Sequence, residues 1–464
     1  MRGESFHEGE FLRELEAIVG GRCSLSPDTL RIYSRDYWPL ALLKEVKGEE
    51  LPLPMAVAWP ESSEEVVELV KLCNEHEVPF VPYAGGSGVI GATICEKCLV
   101  IDVKRMNRVI HLSEEDSYVL VESGIMLRKL EEFLNSKGFT LRHFPQSYPE
   151  AAIGGLIATK SVGQYSTKYG GIEDLVIDLE VVAPDGGLIP LRKNIVPRAS
   201  TGPEIKSLLL GSEGQLGIIT KAALKVFKIP PFDYKNSFAF KSFEEALMAV
   251  KEIVQSGLTP AVARIYDEDD SSVRFGDRRN LLILILEEYS EPLLEAKVSE
   301  ITRVVSRYGG KEAGEGYVEK WLEKRFDVIS ELKKLVVPMG LWFETIETAA
   351  TWSNLMRIHS KFKEIKKMRG VYAVLAHASH FYEVGACLYF TLTYEADERV
   401  YWDIWREAMR VVLENGGTIS HHHGIGLLRK EWVFSEIGPS LDYLRRIKNA
   451  LDPKKVSNPG KSLG

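Results

Sequence analysis

The feature that most constrains this chain is a series of glycine clusters held within one stretch. Ala84-Gly85-Gly86-Ser87-Gly88 directly follows Val78-Pro79-Phe80-Val81-Pro82-Tyr83, which reads as a strand. Gly154-Gly155, Gly163 and Gly170-Gly171 come next, and Gly211-Ser212-Glu213-Gly214-Gln215-Leu216-Gly217 closes the set. Glycine leaves room for a ligand beside the backbone and permits positive φ. Backbone N–H groups in such loops can bind phosphate oxygens. None of these clusters is a GxGxxG that opens a helix, which disfavours a nicotinamide-binding fold. The pattern implies a large, flat ligand lying against backbone.

At 464 residues the chain is too long for one ordinary core, so two or three domains are expected. Residues 1–49 read as an N-terminal helical segment, 50–230 as the ligand-binding domain, 231–420 as a cap domain and 421–464 as a C-terminal segment returning to the first domain. In the first domain, Ala56-Val57-Ala58-Trp59-Pro60 reads as a strand stopped by proline. A capping box, Ser62 with Glu65, then opens a helix. Strands follow at Leu99–Val103 and Tyr118–Glu122, a helix from Leu127 to Lys137 ends at Gly138, and residues 175–191 form a hairpin around Asp185-Gly186-Gly187. Beyond Pro230-Pro231 the pattern changes to strand, helix, strand, strand, helix, which fits a separate α+β layer. Strands at Val371–Leu375 and Ala386–Thr393 and a helix at Tyr401–Glu414 complete it.

With a net charge of −8 and no basic run, a nucleic-acid partner is not expected. The N-terminus is acidic and lacks the apolar core of a secretory signal. No apolar run approaches the ~20 residues that span a bilayer. A cytoplasmic protein with no transmembrane segment is expected. The five cysteines do not form a disulfide scaffold. Cys95-Glu96-Lys97-Cys98 is a lone CxxC without a second pair to complete a zinc site, and reads as a turn feature.

Residues 50–230 resemble the FAD-binding domain of the vanillyl-alcohol oxidase and p-cresol methylhydroxylase (PCMH) superfamily. The likeness rests on Pro82 to Gly88, Ile153-Gly154-Gly155-Leu156-Ile157-Ala158-Thr159, Tyr169-Gly170-Gly171-Ile172-Glu173-Asp174-Leu175, and Leu210 to Thr220. It implies an α+β fold: a two-subdomain PCMH-type FAD domain, then an α+β cap with a ferredoxin-like sheet. It also implies FAD contacts from Pro82, Tyr83, Ala84, Gly85, Gly86, Ser87, Gly88 and Val89. Gln146, Ile153, Gly154, Gly155, Thr159, Gly163, Glu213, Gly217, Ile218 and Ile219 complete that set. Several relatives tether FAD to a histidine beside the first glycine pair. Ser87 stands in that neighbourhood here, so a non-covalent flavin is expected.

Two branches compete for the rest. Leu451-Asp452-Pro453 and Asn458-Pro459-Gly460-Lys461 resemble the ending of D-2-hydroxy-acid dehydrogenases and the glycolate oxidase flavin subunit. Arg198 to Ile205, Phe343-Glu344-Thr345, Gly385 to Phe390 and Ser420 to Gly426 are closer to alkyl-dihydroxyacetonephosphate synthase. The latter implies catalytic roles for Tyr389, with Tyr382 as a nearby rival, for the run His421, His422 and His423, and for Arg264.

The residues support these roles independently. Histidine titrates near neutrality and suits proton transfer, and along a strand at most two of three neighbours face one pocket. Arg264 sits in an apolar strand, where a clamp for a carboxylate or phosphate accounts for it. His377 and His380 match a metal-binding pair of some dehydrogenases. The glutamate expected before the later His-Gly is His422 instead, so no metal is expected. The expected activity is FAD-dependent oxidation of a small anionic substrate, a D-2-hydroxy acid such as D-lactate or glycolate. The alternatives are a synthase-type transferase without net redox change and a flavin subunit that passes electrons to a partner chain. A homodimer is left open.

Overall fold

The computed structural model describes residues 8–327, 334 and 337–464. The first subdomain is a small sheet of strands Cys23–Ser24, Ala56–Ala58, Leu99–Asp102 and Phe80–Tyr83, in that order. The last three are parallel, so each is buried on both faces. Helix Ser63–Glu75 covers one face through Val66, Leu69, Val70 and Cys73, and helix Glu8–Val19 packs on that helix through Phe11 and Leu15. Ser62 caps the helix by accepting from the Glu65 N–H. The reciprocal half of the expected capping box is absent, because the Glu65 carboxylate pairs with Arg22 at 2.6 Å.

The second subdomain is an antiparallel sheet ordered Val109–Ser113, Tyr118–Glu122, Ile218–Lys225, Val176–Val182 and Leu188–Ile189. Ile218–Lys225 runs unbroken through the centre of this sheet. The cap carries a seven-stranded antiparallel sheet, larger than the sequence reading gives it. Its order is Lys311–Glu312, Phe232–Phe240, Asn280–Glu288, Val262–Tyr266, Val371–Tyr382, Gly385–Glu395 and Leu341–Thr351. Helices Phe243–Gln255, Glu291–Arg307, Trp352–Lys363 and Glu398–Glu414 cover its outer face. Cys95 and Cys98 are disulfide-bonded and close a short turn.

The C-terminal segment leaves the cap and locks onto the first domain. Helix Ser440–Leu451 brings in Lys448, whose buried ammonium donates to the Gln215 carbonyl at 2.7 Å and the Ser457 carbonyl at 2.6 Å, and pairs with Asp452. Asp452 in turn accepts from the N–H groups of Val456 and Ser457. Asn458 then bridges the Ala92 and Glu213 carbonyls, joining two glycine-rich turns. Replacing Lys448 by Met leaves Asp452 buried and uncompensated. We expect a loss of about 3–5 kcal/mol, the cost of breaking a buried ion pair from one side, read as a lowered Tm in thermal denaturation.

Candidate functional site

A cavity of about 740 Å3 lies between the glycine-rich turns of the first domain and the inner face of the cap sheet. Its far wall is the run Pro82 to Val89, with Gln146, Gly154, Gly155, Thr159, Glu213, Gly217, Ile218 and Ile219. These segments can approach closely only because side chains are absent. At Gly214, φ is +74° and an added Cβ would lie 2.8 Å from the Pro82 ring. A Cβ on Gly155 would meet nothing within 4 Å, so that glycine opens directly onto the groove. Thr93 Oγ1 and Asn458 Oδ1 are buried without a hydrogen-bond partner, and both residues line the cavity. Unpaired buried polar atoms are costly, and a polar ligand in the groove satisfies them.

Two of the residues expected to contact the cofactor stand behind this wall. Ile153 is fully buried in the core of the second subdomain. Gly163 serves backbone packing, since a Cβ there would lie 2.6 Å from the Phe144 nitrogen. Glu213 does line the cavity, but its carboxylate accepts from the N–H groups of Ile425 at 2.5 Å and Gly426 at 2.8 Å. It therefore ties the last glycine-rich turn to the histidine loop.

The near wall is built by strand register. Tyr266 pairs with His377, His377 with Tyr389, and Tyr389 with Glu347, across four neighbouring strands. Directly paired residues share a face, so this row projects toward the first domain. The His377 ring stacks on Tyr389 at 4.6 Å, and its Nδ1 lies 2.9 Å from Asp270. His380 would fall on the opposite face of an ideal strand. A register shift between Ser379 and Phe381, with φ of +53° at His380, returns it to the cavity side. Its Nε2 meets the Tyr389 hydroxyl at 2.8 Å and its Nδ1 meets Ser166 Oγ at 2.6 Å.

The histidine run lies in a loop, and Glu347 shapes that loop. Glu347 Oε1 accepts from the backbone N–H of His421 (3.2 Å), His422 (3.2 Å) and His423 (3.0 Å), and from Ser420 Oγ (3.2 Å). Arg429 forms a fully buried ion pair with the same carboxylate. Burial alone would raise the Glu347 pKa, but Arg429 and His423 outweigh it and hold the group well below the usual carboxylate range. His422 and His423 face the cavity. His421 does not: its Nε2 meets the Tyr382 hydroxyl at 2.8 Å and its Nδ1 meets His422 Nδ1 at 2.9 Å. His422 Nε2 reaches the Tyr389 hydroxyl at 3.2 Å.

Burial dominates the protonation of this cluster. It pushes His380 and His422 well below the ordinary histidine value, with neighbouring histidines adding to the effect, and brings His377 and His421 down to about 4. It drives the Tyr389 phenol well above 10. The imidazoles are therefore neutral and the phenol is protonated at neutral pH. Cys387, His421 and His422 bring ligand-type atoms within 4.8 Å of one another, but the imidazole nitrogens are already engaged by Tyr382, Tyr389 and each other.

Arg264 lines the cavity at 8% exposure, with Nε donating to Tyr266 at 2.8 Å. Among the described residues no carboxylate pairs with it. Arg325, absent from the sequence reading, also lines the cavity and is boxed by Phe144, Tyr165, Trp321 and Phe326. Asp270 and Glu347, which contact the histidines, also escape sequence reading: Asp270 ends the acidic run Asp267-Glu268-Asp269-Asp270 and Glu347 lies in a mixed stretch, neither of which carries a motif. The groove itself yields a test. In Gly155→Leu the new side chain enters the space meant for the cofactor without a clash in the protein. FAD titration followed by flavin fluorescence should show affinity lowered at least about tenfold, a loss of roughly 1.4 kcal/mol, with the Tm of the cofactor-free protein nearly unchanged.

The comparisons with known proteins agree with this architecture. The FAD binding domain family matches residues 54–192, and the FAD linked oxidases, C-terminal domain, matches residues 235–462. An alkyldihydroxyacetonephosphate synthase of Trypanosoma brucei brucei is 29% identical over 454 residues, covering 88% of this chain and 73% of that protein. The FAD-linked oxidoreductase YgcU of Escherichia coli (strain K12) is 30% identical over 434 residues, 88% of this chain and 89% of its own. A mitochondrial cytochrome-type D-lactate dehydrogenase of Arabidopsis thaliana is 30% identical over 423 residues, 89% and 74% respectively. A solved alkyldihydroxyacetonephosphate synthase superposes with a TM-score of 0.85 at 26% identity, over 99% of this chain and 87% of that one. p-Cresol methylhydroxylase shares the fold, with a TM-score of 0.80 at 16% identity over 99% of this chain and 98% of its own. A PCMH-type FAD fold whose glycine-rich groove faces a histidine-bearing cap, together with relatives spanning nearly its whole length, shows that this chain belongs to the FAD-linked oxidase family and that FAD is its cofactor.

Proposed function

We propose that this FAD-linked oxidoreductase dehydrogenates a small 2-hydroxy acid. The observation that carries this reading is Arg264: a buried guanidinium, open to the cavity, with no carboxylate paired to it among the described residues. A buried cation is costly unless compensated, and a substrate carboxylate compensates it through a bidentate pair. Arg325 adds a second positive group on the same wall. Bound FAD supplies the hydride acceptor. The protein's part is to anchor the carboxylate and to accept the hydroxyl proton. The neutral imidazoles of His380 and His422 each keep one acceptor nitrogen, and the proton reaches them through the Tyr389 hydroxyl they share. A protonated Tyr389 is a donor here and not the base.

A second reading is a transferase of the alkyldihydroxyacetonephosphate synthase type. The likeness over nearly the whole chain favours it, and Arg264 would then hold a phosphate. The two readings separate in one assay. Under anaerobic conditions with D-lactate, glycolate and larger D-2-hydroxy acids, dehydrogenation bleaches the flavin band. No bleaching across that panel, together with acyl-for-alkyl exchange on an acyl-dihydroxyacetonephosphate, would replace the first reading by the second.

Two further outcomes follow from the site. Arg264→Gln should raise KM by about 10–100-fold, the worth of a charge-assisted hydrogen bond, with the flavin still bound; a steady-state KM against kcat comparison checks it. The pH dependence has a definite sign. His380 and His422 have pKa values below the ordinary 6.5, so both rings stay neutral as pH falls through 6.5 and charge only lower. Accordingly kcat/KM should be flat through pH 6.5 and fall only at more acid pH.

A further inference from the structure

Tyr382, His421, His422, Tyr389, His380 and Ser166 form one unbroken hydrogen-bonded chain. Its successive contacts are 2.8, 2.9, 3.2, 2.8 and 2.6 Å. Tyr389, His380 and His422 line the buried cavity. Tyr382 does not line it. It lines a separate surface cleft of about 390 Å3, beside Gly416, Gly417, Thr418 and Glu436. We propose that this chain is the route by which the proton released from substrate leaves the histidine cluster, with Tyr382 as its outlet. The proposal rests on the dehydrogenase reading, since that reaction delivers one proton per turnover into the cavity.

The hydrogen-bond accounting supports it. A neutral imidazole has one N–H and one acceptor nitrogen, and a phenol has both functions in one atom. In one assignment Tyr389 donates to His422 Nε2, His422 Nδ1–H donates to His421 Nδ1, and His421 Nε2–H donates to Tyr382. The Tyr382 hydroxyl then keeps its own proton for an acceptor beyond the chain, water of the outer cleft that Tyr382 lines. At the inner end, Ser166 donates to His380 Nδ1, and His380 Nε2–H donates to Tyr389. Every atom of the chain is satisfied. Reversing every donor and acceptor satisfies it equally well.

A concerted shift reverses the stretch from Tyr389 to Tyr382 and leaves the His380–Ser166 end unchanged. Tyr389 accepts the substrate proton while passing its own to His422. His422 passes its Nδ1 proton to His421, and His421 passes its Nε2 proton to Tyr382. Tyr382 releases its own to water. One proton enters and one leaves, and no ring carries a lasting charge. That last point fits a site where burial holds His380, His421 and His422 neutral. Glu347 keeps the His421–His422 contact in register by gripping both backbone N–H groups.

Tyr382→Phe keeps the ring and removes the outlet. In FAD-loaded protein mixed anaerobically with D-lactate, flavin bleaching and dye-reported proton release are followed together. We expect bleaching to persist, with the proton held on the His421–His422 pair, while proton release slows at least about a hundredfold, on the scale of lost acid–base catalysis, and free imidazole in the buffer to restore it. Bleaching with unchanged proton release overturns the proposal. Absence of bleaching across the hydroxy-acid panel overturns the dehydrogenase reading instead. The chain is then decided by 15N NMR of the histidine rings in the FAD-loaded protein without substrate. Removing the Tyr382 hydroxyl should move the ring signals of His421, His422 and His380, whereas a change confined to His421 overturns the proposal. His421→Gln, a second break in the chain, is read by the same proton-release and ring-signal measurements.

Discussion

The candidate site depends on one buried carboxylate. Glu347 is fully enclosed, sits on the edge strand Leu341–Thr351, and gathers three successive backbone N–H groups of the histidine loop around a single oxygen. Consecutive amides converge on one point only when the chain curls tightly, so the anion imposes the loop's shape. Arg429 supplies the opposing charge inside the protein. Removing one partner of such a pair costs about 3–5 kcal/mol, and here the loss would also release the loop. Side chains 421 to 423 point where they do because of this contact, not because of any strand geometry of their own.

The second constraint is register. Antiparallel pairing across four strands places Tyr266, His377, Tyr389 and Glu347 in one row, though they are far apart in sequence. A one-residue slip in any strand would turn its member to the helix-covered face. The bulge at Ser379–Phe381 uses that sensitivity constructively. An even alternation would separate His377 from His380. The extra residue brings both onto the cavity side, where Asp270 orients one and Ser166 the other.

The glycine-rich groove and the histidine cluster belong to different domains, and the chain joins them twice. Glu213 reaches from a glycine-rich turn to the N–H groups at Ile425 and Gly426. Asn458 and Lys448, at the far C-terminus, reach back to the same turn. Both links use buried hydrogen bonds, which specify a single arrangement more strictly than apolar contact does. The distance between flavin groove and histidine cluster is thereby set by hydrogen bonds.

Much of this was legible in the sequence where the physics is local. The glycine clusters, the strand–helix alternation after Pro230-Pro231, the arginine out of place at 264 and the histidine run are each short-range statements about backbone freedom, periodicity or polarity. They suffice for the PCMH-type fold and the FAD cofactor. The strand bearing Glu347 went unread because acids at 344 and 347 interrupt its apolar pattern, and Asp270 and Arg325 lie in segments without motif. Which two histidines face the cavity, which carboxylate grips the loop and which tyrosine sits at the outer cleft depend on strand register, one bulge and contacts between residues hundreds of positions apart. The sequence by itself determined what kinds of groups are present and roughly what they bind. Only the tertiary structure decided which of them touch, because hydrogen bonds and ion pairs act over a few ångströms of space and take no account of distance along the chain.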